Sequence, residues 1–195
     1  MKWIDFERLM KQKNINLFTP LDVGRFLGRS KVATTFLIHR LKKQGYIESV
    51  KRGLFKFSDQ SVSDLYLANR LYEPSYISLE FALSYYGVIP ETVYEITSVS
   101  PKATRRFEAL GKVYSYHRIK KTAFTGYAVQ KQKGFSFAIA DPEKAFVDTL
   151  YYRLLSGKKP LSRFNKDKIN ATKAIKYARL FNNPRLTGIL KTTLR

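Results

Sequence analysis

The sequence has no cysteine. Disulfide scaffolds, thiol nucleophiles and Cys-ligated zinc or iron–sulfur centres are thereby excluded. Its two histidines, His39 and His117, are too few and too far apart for a His-rich metal centre. Acidic side chains are scarce, with 15 Asp and Glu against 36 Lys and Arg, a formal net charge of +21. No apolar run approaches the roughly 18 residues of a membrane span. The stretch Lys2-Trp-Ile-Asp5-Phe-Glu7 carries acids where a signal peptide would be apolar. A soluble cytoplasmic protein with no membrane partner is expected. Walker-type loops, nucleophile elbows and Gly-rich dinucleotide fingerprints are also missing, so no cofactor, no metal and no catalytic residue is expected.

What is present is a chain of 195 residues, 44% hydrophobic and 14% aromatic, too apolar for a disordered basic tail. A surplus of +21 repels itself unless a polyanion offsets it, which points to nucleic acid or an anionic surface. The surplus is uneven. Residues 1–57 hold 13 basic and 4 acidic side chains, net +9, whereas 58–98 hold one basic and six acidic, net −5. Residues 99–135 return to +8 and 153–195 to +11. The acidic stretch between basic regions marks the start of a second domain.

The first sixty residues read as a winged helix-turn-helix. Residues 4–13 have the spacing of a short amphipathic helix, and 14–18 form a short connection or strand. Thr19-Pro20 is an N-cap followed by proline in the first turn of a second helix. Leu21, Val23, Phe26 and Leu27 supply its buried side, Gly24 admits a close neighbour, and Gly28 ends it. Ser30 caps a third helix running to about Gln44. On it Val32, Ala33, Phe36, Leu37 and Leu41 are assigned to the inner face, and Lys31, Thr34, Thr35, Ile38 and Lys42 largely to the outer one. Two β-prone runs, 46–50 and 54–57, are joined by Lys51-Arg52-Gly53, a hairpin with cations at its tip.

That pattern assigns chemistry to particular residues. Arg29, Ser30 and Lys31 place a guanidinium, a hydroxyl and an ammonium at a helix N-terminus, where phosphates are held. Thr34, Thr35 and Ile38, one turn on, are expected to touch base edges or a thymine methyl. Lys42 lies on the same side, and Lys51 and Arg52 reach a flanking phosphate or minor groove from the wing. The expected partner is double-stranded DNA with inverted repeats, read by a monomer or weak dimer.

Residues 61–195 read as an α/β domain with a small, mostly antiparallel sheet of about four strands and C-terminal helices, so the fold class as a whole is α+β. Helices are expected over about 61–72, 78–86, 141–157, 168–181 and from 184. Strands are expected over 94–99, 112–118, 124–130 and 135–139. Ser78 is expected as a helix cap, Glu80 and Tyr85 as exposed or in polar contact with the sheet. Asp141, Pro142 and Glu143 serve as a helix start. Arg105, Arg106, Lys120 and Lys121 are possible second-domain nucleic-acid contacts.

Three phrases stand out: YISLEFALSYYGVIPE from Tyr76, ITSVS from Ile96 and AIADPEKAFVD from Ala138. Together they resemble the AbiEi-type antitoxins of bacterial abortive-infection (type IV toxin–antitoxin) operons. With the N-terminal winged helix in front, the likeness spans most of the chain and is poorest beyond about residue 160. The resemblance implies an autorepressor of its own operon. It implies as functional partner a nucleotidyltransferase-like toxin, countered without a stable complex being required. Two alternatives come from the residues. One is an adaptor whose winged helix binds protein. The other is a metal-dependent nuclease built on Asp141, Glu143 and Asp148, though Glu143-Lys144 are adjacent and helix geometry sets Asp141 about two turns from Asp148.

Overall fold

A computed structural model describes residues 2–13 and 15–194, so Asn14, within the expected connection over 14–18, lies outside the described residues. The protein is α+β, with eight α-helices among the described residues. It divides into two compact units, Met1–Asp64 with Lys133–Phe135, and Leu65–Gln132 with Ser136–Arg195. No described helix is long and apolar enough to cross a membrane.

The first unit contains α1 (Trp3–Gln12), β1 (Leu17–Phe18), α2 (Pro20–Leu27), α3 (Lys31–Lys43), β2 (Ile47–Lys51) and β3 (Leu54–Phe57). The three strands form an antiparallel sheet in the order β1-β3-β2, with Leu17 opposite Lys56 and Ile47 opposite Phe57. Local chemistry starts and stops the helices. The Thr19 hydroxyl accepts from the Asp22 N–H while the Asp22 carboxylate accepts the Thr19 N–H at 2.7 Å, and Pro20 occupies the first helical position. Gly28 closes α2 at φ +62°, a conformation that costs glycine nothing. Helices and sheet meet in an aromatic core: Phe6, Phe18 and Phe57 are essentially unexposed, with ring centroids 5.4 Å apart for Phe6–Phe18 and 4.8 Å for Phe18–Phe57. Each such phenyl group contributes about 1.5–3 kcal/mol by leaving water.

In the second unit, α4 (Asp64–Leu71), β4 (Tyr76–Ile77), α5 (Leu79–Tyr85) and β5 (Ile96–Ser100) are followed by β6 (Arg105–Ala109), β7 (Lys112–Arg118), β8 (Tyr127–Gln132) and β9 (Phe135–Ala140). Then come α6 (Pro142–Leu155), α7 (Ala171–Arg179) and α8 (Pro184–Thr193). The sheet has six strands in the order β6-β7-β5-β4-β9-β8 and is mixed, which corrects the four-stranded, mostly antiparallel expectation. β5 runs parallel to β7 and β4 parallel to β9, while β4–β5 and β6–β7 are antiparallel. Two strands escape the periodicity for physical reasons. β4 is only two residues long, and β6 (RRFEA) lies largely exposed, its alternation limited to Phe107 and Ala109, too short to stand out.

Helix α6 is the axis of this unit. Asp141 caps it, accepting the Lys144 N–H at 2.8 Å, and every residue from Glu143 to Tyr151 is buried. α5, α7 and α8 pack against it. Its Lys144 and Asp148, one turn apart and fully buried, form an ion pair. The other Asp148 oxygen accepts the Ser78 hydroxyl at 2.8 Å and the Tyr76 phenol at 3.2 Å. Ser78 therefore does not cap α5 with its side chain, as expected from sequence; its hydroxyl is turned to Asp148 instead. The next residue, Leu79, is buried with φ +62°, a backbone strain of about 1–3 kcal/mol held by this node. The phrases from Tyr76 and Ala138 thus meet in the interior.

Candidate nucleic-acid interface

The surface of α3 is set by how α2 packs on it. Gly24 leaves a niche on α2 in which a Cβ would lie 3.0 Å from the Thr34 Oγ1. Thr34 fills that niche, 1% exposed, and satisfies its hydroxyl by donating to the Ser30 carbonyl at 2.9 Å. With Thr34 inward, the buried stripe of α3 is Thr34, Leu37, Ile38 and Leu41, spaced three and four residues apart.

This corrects the assignment of faces. Thr34 and Ile38, expected to reach base edges, belong to the core, while Val32 and Phe36, expected inside, are 66% and 73% exposed. Leu21 of α2, also expected inside, is exposed. The outward stripe of α3 consists of Val32, Phe36, His39 and Lys43, flanked by Thr35 and Arg40. Apolar residues occupy more than half the circumference of α3, so periodicity alone chose the wrong arc. The signal that finds the right one is Gly24, which calls for a small partner on the facing helix.

The remaining candidates are placed as follows. Ser30 caps α3 by accepting the Ala33 N–H at 3.3 Å, and Arg29, Ser30 and Lys31 are exposed at its N-terminus. Thr35 is exposed, although its hydroxyl donates to the Lys31 carbonyl at 2.9 Å. Lys42 and Lys43 are exposed at the far end. No acidic residue occurs within α3. In the hairpin, Arg52 is exposed and Gly53 takes φ +78°, whereas Lys51 is half-buried at the end of β2 opposite Leu54. Lys56 is structural: its ammonium lies 3.1 Å from Glu48 and donates to the Phe57 and Gln60 carbonyls.

These positions separate packing from contact. Ile38→Ala should lower the stability of the first unit by about 2–5 kcal/mol while the folded fraction keeps its full affinity for any ligand of the outer face. Thermal denaturation paired with a binding titration checks this; loss of affinity at unchanged stability would return Ile38 to the interface.

The second-unit cations are partly committed. Arg106 lies 3.3 Å from Glu108 and 3.7 Å from Glu95, and Lys120 donates to the Phe181 carbonyl at 2.7 Å. Arg105 and Lys121 are exposed. The carboxylates weighed for metal chemistry are engaged as well. Asp148 is held by Lys144, and the Lys173 ammonium bridges Asp141 at 3.0 Å and Glu143 at 2.9 Å. Tyr177 donates to Asp141 at 2.6 Å, and Tyr85 donates to Gln130 of β8 at 3.1 Å. Among the described residues no group of three His, Asp or Glu is placed to hold a metal ion.

Electrostatics follow these partners. Burial opposes ionisation of Glu143, but the Lys173 ammonium and the Asn170 N–H outweigh it and hold the carboxyl below its ordinary value of 4.5. Burial together with the hydrogen bond to Asp141 pushes the Tyr177 phenol up to about 12. Because the folded carboxyl of Glu143 titrates lower than the unfolded one, its stabilisation is complete above pH 4.5 and is lost as pH falls through the lowered value. Glu143→Gln should therefore melt below wild type at pH 7, with the gap closing toward pH 3 in a series of melting curves. A gap independent of pH would refute the linkage. No model of a known protein family matches this chain, and no characterised protein matches its sequence.

Proposed function

We propose that this protein is a non-catalytic, DNA-binding regulator whose first unit acts as a winged helix-turn-helix. α2 and α3 form the helix-turn-helix, α3 enters the major groove, and the β2–β3 hairpin is the wing. The observation that carries the reading is the outward side of α3, solvent-exposed along its length, free of acids, and led by Arg29, Ser30 and Lys31 at its N-terminus. Phosphates are met by Arg29, Lys31, Arg40, Lys42 and Lys43 and by Arg52 from the wing; Thr35 and His39 face base edges. Lys51 supports the hairpin next to Arg52.

The resemblance of the Tyr76, Ile96 and Ala138 phrases to AbiEi-type antitoxins extends the proposal to biology. The protein represses its own operon in the cytoplasm, as monomers or a weak dimer on inverted half-sites. It counters a nucleotidyltransferase-like toxin encoded beside it. The second unit supplies the antitoxin function, with Arg105 and Lys121 as its exposed candidates for nucleic acid.

Fluorescence anisotropy with the duplex upstream of the protein's own reading frame tests the first claim. Tight binding that weakens on Arg29→Ala and weakens uniformly across sequences on Arg52→Ala is expected. Equal affinity of both variants and wild type would discard the docking face. Co-expression with the neighbouring gene tests the second: growth arrest by that gene, relieved by this one, is the expected result.

A further inference from the structure

The outward side of α3 carries two large apolar side chains, Val32 at 66% and Phe36 at 73% exposure, where cations would suffice for binding phosphate. They are one helical turn apart, about 6 Å along the axis. Neither belongs to the aromatic core of the unit. An exposed phenyl group beside a valine costs solubility and contributes nothing to packing, so its use lies in what it touches.

We propose that Phe36 and Val32 read 5-methyl groups of thymine in the major groove, making the operator half-site dependent on one or two thymines within about two base-pair steps of each other. This rests on the DNA-binding reading above and adds the chemistry of the sequence read. Charge decides for DNA over a protein partner. The apolar pair is set among Arg29, Lys31, Arg40 and Lys43, with no acid within the helix, so a groove walled by phosphates complements the whole surface. The thymine methyl is the one apolar feature of a major groove edge, and a phenyl or isopropyl group meets it without leaving a polar atom unpaired.

The experiment uses the full-length chain and the tightest 24-bp duplex that it selects from a random pool. Each thymine is replaced in turn by deoxyuridine, which removes only the methyl group. Wild type should lose about fourfold in affinity at one or two positions per half-site, the cost of re-exposing one methyl-sized group. Phe36→Ala, whose melting temperature should be unchanged because the residue is exposed, should bind more weakly and be indifferent at the position Phe36 reads. Wild type insensitive at every thymine, or Phe36→Ala with the same sensitivity as wild type, would overturn the thymine reading and leave the DNA-binding one standing. Failure of wild type to select any duplex, with self-association lost in Phe36→Ala, would overturn both and make the patch a contact between copies.

Discussion

Replacing Lys144 with alanine should destabilise the second unit by about 3–5 kcal/mol, because it leaves a buried carboxylate without its counter-ion. Asp148 is wholly enclosed, as is Lys144. Burial pushes Asp148 up and Lys144 down; their mutual contact opposes both shifts, helped by Ser78 and Tyr76 as donors to Asp148 and by the negative charge of Asp141 on Lys144. After truncation the hydroxyl and phenol remain as donors, but the ammonium also loses its place above the Phe181 ring, 5.1 Å from the centroid. At about 2–4 °C per kcal/mol the melting transition should fall by roughly 10 °C. Lys144→Met with Asp148→Leu should do far less harm to the pair itself, since apolar replacement of a buried ion pair is often neutral. It would still strand Ser78 and Tyr76. A single substitution that leaves the melting curve unmoved would show that the pair does not hold α6 against the β4–α5 elbow.

The same variant bears on function in an informative way. The node ties together two of the three phrases on which the resemblance to antitoxins rests, those from Tyr76 and Ala138, yet all its members lie in the interior. Its loss should therefore reduce the amount of folded protein without altering the DNA binding proposed for the first unit.

The second large effect is the response of binding to salt. Six exposed cations, Arg29, Lys31, Arg40, Lys42, Lys43 and Arg52, are the proposed phosphate contacts. Counter-ion release then gives a slope of log K on log salt near about −5, so affinity should fall by roughly a thousandfold between 50 and 200 mM. Arg29→Ala with Lys43→Ala should flatten that slope by about two and leave the deoxyuridine response of the remaining affinity intact. On the proposed reading the two readouts separate the contributions of the helix, with cations expected to supply charge-dependent affinity and the apolar pair to supply sequence. A salt-insensitive complex would point to a protein partner and to the adaptor alternative.

Legibility of the fold from sequence divided along the range of the interactions. The starts of α2, α3, α6 and α8 were readable because caps are local: Thr19, Ser30, Asp141 and Asn183 each accept the N–H three residues ahead. The direction and number of strands were not, since β5 beside β7 and β4 beside β9 join segments whose sequences say nothing of their neighbours. Nor was the role of Ser78, whose partner Asp148 is 70 residues away.

Composition by itself determined that the chain is strongly cationic, free of thiol chemistry and rich enough in aromatics to fold, and short-range patterns determined where most helices begin. Only tertiary structure decided which side of α3 faces out. Thr34 is inside because Gly24 on another helix makes room for it, and that rotation carries Ile38 inward and Phe36 into solvent. A helix apolar around most of its circumference has no preferred face until a neighbour supplies the shape that one face fits.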